Sequence, residues 1–211
     1  SLPSYGLDTG TNLVELVEHC AQVEGIQRIR LGSLDPDMLT PEFITRLAAV
    51  EKLCPQFHLS LQSGCTATLR RMRRVYTAEQ YAQVVDQLRA AYGARPVSFT
   101  TDCICGFPGE TQADFAELEE FVRDVRFERL GVFAYSEEEG TYSAQKLQDN
   151  VPEEVKQQRV ERIMALQNEI SLENNLRRVG RTERVLIDSR QGDYYVGRTQ
   201  YDSPEVDQEI L

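Results

Sequence analysis

The chain is short of most features from which function is commonly read. No apolar run approaches the ~18 residues of a membrane-spanning helix. The opening "SLPSYGLDTG" has neither a basic n-region nor an apolar core, so it does not read as a signal peptide. Without an initiator Met, it reads as beginning in mid-protein. Histidine is scarce: His19 and His58 stand alone, and neither has a Ser, Cys or Asp at readable spacing, so a nucleophilic triad is not supported. The five cysteines (Cys20, Cys54, Cys65, Cys103, Cys105) are odd in number, irregularly spaced and never CxxC. That usage argues against a disulfide scaffold and for a reducing, cytoplasmic setting. Cys103 and Cys105 would point the same way on a strand, but two thiolates do not complete a tetrahedral metal site. Their expected role is that of small buried hydrophobes. Basic charge is also lacking. A net charge of −11 argues against a non-specific nucleic-acid binder, and leaves room for a nucleic acid held by a local basic patch or for a basic protein partner.

What is present suits an ordinary folded domain with a small appendage: 211 residues, 41% hydrophobic and 27% charged. Apolar spacing predicts a helix over 11–23, and "IQRIRLGSL" predicts a strand at 26–33. Thr40, Pro41 and Glu42 form a helix start. A strand is expected at 56–62, then a short helix in "TATLRRMRR", then a helix from an N-cap at Thr77 to a terminating Gly93. Strands at 96–105 and 129–135 flank a helix starting near Thr111. A long amphipathic helix, 152–179, closes at Gly180. Four strand–helix alternations point to parallel strands with right-handed crossovers, that is, to an α/β fold. Beyond Gly180, short strands with a turn at Gln191-Gly192 predict a hairpin over 183–198.

Parallel sheets of this kind place ligands at the carboxyl ends of their strands. Here those ends are "GSLDP", "LQSG", "CGFPGET" and "YSEEEGT". In "GFPGET" two glycines permit close backbone approach and Pro108 stiffens the turn, but no phosphate-loop pattern is present. Gln62 and Ser63 of "LQSG" suit a ligand's hydroxyls or amides. "RRMRR" sets Arg70, Arg71, Arg73 and Arg74 close together in an acidic chain, either to hold phosphate or as a solvated helix face. The "EEE" at 137–139 reads as a solvated loop at the same rim.

Together "RIRLGSLDP", "CPQFHLSLQSGCTATLRRMRR", "TTDCICGFPGET", "VFAYSEEEGT" and "VPEEVKQQR" resemble, in order, the radical S-adenosylmethionine methylthiotransferases. The resemblance implies a partial (β/α) barrel over 1–178, closed by the long helix, followed by a TRAM-like β module over 180–211. It implies S-adenosylmethionine and two 4Fe–4S clusters as cofactors. The CxxxCxxC loop that holds one cluster in the family is not in this sequence, so no catalytic residue and no metal ligand is assigned, and this chain alone is expected to be inactive. By the same resemblance the S-adenosylmethionine pocket would be lined by Arg30, Ser33, Gln62, Ser63, Asp102, Ile104 and Gly106. The arginines at 70, 71, 73 and 74 would face the substrate.

Two substrates compete. The amino-terminal half resembles the MtaB type, which acts on threonylcarbamoyladenosine in tRNA. The carboxyl-terminal half resembles the RimO type, which acts on an aspartate of a small-subunit ribosomal protein. Arg181 to Leu211 carries four arginines against seven acidic residues, a net of −3, which favours a basic protein over RNA. The ribosomal-protein reading is therefore preferred. A non-catalytic RNA- or protein-binding module is the alternative of another class.

Overall fold

The computed structural model describes all residues except Ser1, Leu7, Glu205 and Val206. It divides into two compact units. One comprises Ser1–His58, Gln87–Ser98 and Arg178–Leu211; the other comprises Leu59–Asp86 and Phe99–Arg177.

In the first unit, helix α1 (Leu13–Gln22) begins at Asn12, whose side chain accepts from the Glu15 amide. Helix α2 (Pro41–Ala49) begins at Thr40 with Pro41 in its first turn, as expected. The two pack through apolar faces that include Leu13, Val17, Ile44 and Leu47, all buried. The stretch 26–33 does not form the expected strand. Only Ile29 pairs, in a parallel bridge to Leu53. Arg28 and Arg30 commit their side chains elsewhere, to carbonyls of Arg184, Arg198 and Gln200. Strand β1 (Gln56–His58) is shorter than expected. Phe57 packs edge-on to Tyr92, with ring centroids 5.8 Å apart. In the same unit β4 (Leu186–Gln191) and β5 (Tyr194–Arg198) form the expected antiparallel hairpin, with an irregularity between Ile187 and Ser189. Gly192 takes φ 60° at its turn. Ile210 bridges back to Gly197, which begins a third antiparallel edge.

The second unit holds α3 (Thr66–Arg71), most of β2 (Ser98–Cys105), α5 (Gln112–Val125), β3 (Arg129–Ala134), α6 (Tyr142–Lys146) and α7 (Glu153–Leu176). Helix α4 (Ala78–Tyr92) begins here, its Gln80 amide donating to Thr77 Oγ1 at 3.2 Å. β2 and β3 pair in parallel from Thr100↔Arg129 to Cys105↔Ala134. The segment 59–62 lies parallel on the other edge of β2: Leu59 N donates to Thr100 O (3.0 Å), Gln62 N to Asp102 O and Ile104 N to Gln62 O (both 2.9 Å). Period-2 alternation turns Cys103 and Cys105 into the core, where both are fully buried. Their expected role as core filler stands. Their mutual hydrogen bond and burial push the Cys103 thiol well above its usual range. Asp102 and Ile104 take the opposite face, in register with Gly131 and Phe133.

Helix α5 shows why the "GET" segment stops one element and starts the next. Thr111 accepts from the Asp114 amide at 3.1 Å, and Asp114 accepts from the Thr111 amide at 3.0 Å. This reciprocal box fixes the first turn. The helix packs so closely that a Cβ on Gly64 would lie 2.5 Å from Phe121 Cβ and 3.0 Å from Leu118 Cα. Helix α7 covers β3 and α5 with Ile163, Leu166 and Ile170. Lys156, Arg159 and Gln167 are buried on that same face, each with partners.

Candidate ligand pocket at the strand ends

Three of the four strand-end segments meet in the second unit. Gln62, Ile104, Phe107 and the run Thr141–Ser143 line one open cavity of about 230 Å³, joined by Arg71, Met72, Arg73 and Arg74. Drug-sized ligands usually occupy ~300–1,000 Å³, so this space takes part of a ligand the size of S-adenosylmethionine rather than the whole.

Gln62 is held in an unusual state. Its φ is 70°, in the left-handed region, although it is not glycine. Its N–H and C=O are both committed to β2, so the side chain is turned at a fixed angle toward the cavity. Such an outlier costs of order 1–3 kcal/mol and persists where the surroundings over-determine it. Arg73 is the second left-handed residue at the pocket, at φ 61°. It ends α3 in a Schellman turn: Arg73 N donates to Arg70 O at 3.0 Å and Arg74 N to Leu69 O at 2.9 Å. This turn carries Arg73 and Arg74 to the cavity. Arg73 lies 4.2 Å from the centre of the Tyr142 ring. Arg71 is already engaged, bonded to Asp114 at 2.6 Å and Thr68 at 2.8 Å.

The "GFPGET" turn is a hub behind this pocket. Glu110 N donates back to Phe107 O at 2.8 Å. The Glu110 carboxylate accepts from Gly106 N at 2.8 Å and from Arg159 at 2.7 Å. Burial pushes the Glu110 carboxyl upward, against the Gly106 amide and the Arg159 guanidinium, which pull it down. Gly106, at φ 75°, lies directly under the Lys156 methylenes, where a Cβ would collide. Its small size serves the approach of Lys156. Lys156 in turn bonds Asp149 at 2.6 Å and Tyr135 O at 3.3 Å.

The residues singled out from the sequence are thus distributed. Gln62, Ile104, Arg71, Arg73 and Arg74 share the cavity. Ser63 is buried and its hydroxyl accepts from Cys65 N at 3.2 Å. Asp102 sits over Gly131, leaving no room for a Cβ there. Arg70 is exposed on α3. Arg30 and Ser33 belong to the first unit. There Arg30 donates to Gln56 Oε1 at 2.6 Å and to Gln200 O at 3.0 Å, and lines a second cavity of about 360 Å³ with Arg28 and Arg198. Burial pulls the Arg30 guanidinium below its usual range. Ser33 is exposed. Met72, Phe107, Thr141, Tyr142 and Ser143 line the pocket without having been named individually. Phe107 and Thr141 lie within the strand ends "CGFPGET" and "YSEEEGT", and Tyr142 and Ser143 follow the second directly.

A family model described as the radical SAM superfamily matches residues 5–122. The chain belongs to the radical SAM superfamily. A TRAM domain model matches residues 179–211. Over its whole length the chain is similar to proteins named ribosomal protein uS12 methylthiotransferase RimO. That of Phocaeicola vulgatus is 41% identical over 212 residues, and that of Flavobacterium johnsoniae 42%. These matches cover 100% of this chain and 49% and 48% of those proteins, so the chain spans about half the length of the curated relatives it matches. The RimO similarity runs through the amino-terminal half as well, where the sequence had also resembled the tRNA-modifying type. Among solved structures, the coproporphyrinogen III oxidase HemN of Escherichia coli, a radical SAM enzyme, superposes with a TM-score of 0.57 at 19% identity, covering 75% of this chain and 36% of that one. That likeness supports the fold.

The superfamily implies S-adenosylmethionine and a 4Fe–4S cluster. The cavity's mixture of an amide, hydroxyls, apolar walls and guanidiniums fits part of a charged nucleoside–amino-acid ligand. For a cluster the residues present do not fit: among the described residues no group of three or more His, Cys, Asp or Glu could hold a metal ion. Four of the five thiols are buried. Among the described residues no helix is long and apolar enough to cross a membrane.

Proposed function

We propose that this chain is part of a radical SAM methylthiotransferase that adds a methylthio group to an aspartate of ribosomal protein uS12. The observation that carries the reading is the similarity, at 41% identity over the whole chain, to proteins bearing that name. The net charge of −11 is consistent with a basic ribosomal protein as partner and disfavours tRNA. A ribosomal substrate implies a cytoplasmic enzyme. In this reading residues 1–178 contribute part of the (β/α) barrel and 180–211 a TRAM-like module.

Gln62, Ile104 and Phe107 would hold one portion of S-adenosylmethionine at the strand ends. When bound, that cofactor supplies the radical-generating and methyl-donating chemistry. The chain's own part is to orient it. The Gln62 amide is aimed by its committed backbone, and the Glu110–Arg159 pair fixes the turn that carries Phe107. The test is anaerobic iron–sulfur reconstitution of the protein encoded by the complete reading frame, with S-adenosylmethionine, reductant and uS12. A methylthio mass increment on one uS12 aspartate is expected. An increment on tRNA with none on uS12 contradicts the reading. The 211-residue chain treated in the same way is expected to incorporate no cluster.

A further inference from the structure

We propose that Lys156 and Asp149 are positioning residues for S-adenosylmethionine, their ion pair latching the segment that carries one wall of the strand-end cavity to the turn that carries another; this rests on the function proposed above.

Lysine is among the residues least often found inside a protein, yet Lys156 is only 4% exposed. Its methylenes lie against Gly106, where an added Cβ would collide with Lys156 Cγ. Its ammonium donates to Asp149 Oδ2 at 2.6 Å and to Tyr135 O at 3.3 Å, and stands 5.3 Å from the centre of the Tyr135 ring. Glu153, one turn earlier on α7, is 3.7 Å away but mostly exposed.

A buried ion pair adds little net stability over apolar packing, although losing one member is costly. A leucine or methionine at this place on α7 would fill the same space against Gly106. What the pair supplies is position. It fixes at one point the end of β2, the end of β3 and the connection from α6 to α7, through Gly106, Tyr135 and Asp149.

Those three segments carry the walls of the cavity. Gly106 is followed by Phe107, which lines it and packs edge-on to Tyr135, with ring centroids 5.2 Å apart. Tyr135 is itself tied to β2, its amide donating to Cys105 O at 2.8 Å. Another wall is Thr141, Tyr142 and Ser143, at the start of α6. A five-residue helix is not held by its own hydrogen bonds. Just beyond it come Asp149, which takes Lys156, and Asn150, whose Oδ1 accepts from Gly109 N at 2.8 Å. The connection is thus pinned at two successive residues, one to α7 and one to the turn that holds Phe107. Releasing Lys156 frees α6 to move relative to Phe107 and opens the cavity that the ligand must fit.

The test uses the complete protein with its cluster reconstituted, and reads S-adenosylhomocysteine affinity by calorimetry and backbone hydrogen exchange by mass spectrometry. Lys156→Met keeps methylenes over Gly106 and removes the ammonium. Lys156→Met with Asp149→Leu removes both charges and so restores stability. Both proteins are expected to bind S-adenosylhomocysteine about tenfold more weakly, the scale of one charge-assisted hydrogen bond. Both are also expected to exchange faster over 141–150, with little change in β2 and α7. Arg162→Gln, an exposed change on the same helix, is expected to match the wild type. Wild-type affinity in the double variant, or wild-type exchange over 141–150, overturns the latch and leaves the proposed function standing. Faster exchange in β2, β3 and α7 alike means that the pair serves the whole fold, and overturns it too. A wild type with full iron content that does not bind S-adenosylhomocysteine overturns the placement of the cofactor, and the latch with it.

Discussion

At the scale of single residues, the most demanding position is Glu110. Its side chain is almost fully buried against an Arg159 side chain that is buried as well. Such a pair adds little net stability relative to apolar packing, but losing one member leaves an uncompensated charge. Glu110→Ala is expected to destabilise the protein by about 3–5 kcal/mol in denaturant titration, and Glu110→Ala with Arg159→Met to recover much of that loss. The sequence exposed only half of this. A carboxylate at a helix start was legible in "GFPGET", whereas Arg159 sits in "PEEVKQQR", which by composition reads as a solvated face. Burial there depends on a contact 49 residues distant in sequence, and no local pattern encodes it. The same holds for Gly106, whose neighbour is the side chain of Lys156.

Asp114 gives a pH dependence. Burial opposes its ionisation, yet the Thr111 amide and the Arg71 guanidinium together hold its carboxyl below the usual carboxylate value. A lowered folded-state pKa means that the contribution is present above the unfolded value, near ~3.9, and is lost as pH falls through the lower folded value. Thermal melts of wild type and Asp114→Asn are therefore expected to differ by about 1 kcal/mol at pH 7 and to converge in strongly acidic buffer below that range. A difference that persists there would show that the charge is not the source.

At the scale of elements, the turn that ends α3 carries local strain, with Arg73 at φ 61°. Arg73→Gly removes left-handed strain and is expected to raise stability by about 0.5–1 kcal/mol, net of the entropy glycine adds to the unfolded chain. A destabilised Arg73→Gly protein would contradict the assignment of strain to that turn. Helices with caps were the most legible elements. Asn12 was the exception, but Thr40, Thr77, Thr111 and Gly93 all mark boundaries in the structure. Strands were less so. Alternation in "IQRIRLGSL" suggested a strand over 26–33, whereas within that stretch of the described residues only Ile29 forms a bridge. Helix α6 was not foreseen, since five residues after a Thr N-cap leave too short a period to read.

At the scale of the whole molecule, the α/β order of elements and the gathering of three of the four strand ends were readable, because the alternation of strand and helix leaves few topologies open. Residue-level assignments within the pocket were readable only in part. Gln62 and Ile104 reach it, while Ser63, adjacent in sequence, is buried in the core; the left-handed turn of the backbone at Gln62 is not written in the residue types. The proposed function rests on the similarity to RimO proteins at 41% identity over the whole chain. It is tested most directly by mass spectrometry of uS12 from cells with and without the gene. The account predicts a methylthio increment on one uS12 aspartate that disappears on deletion and returns on complementation. A uS12 mass unchanged by deletion would contradict it.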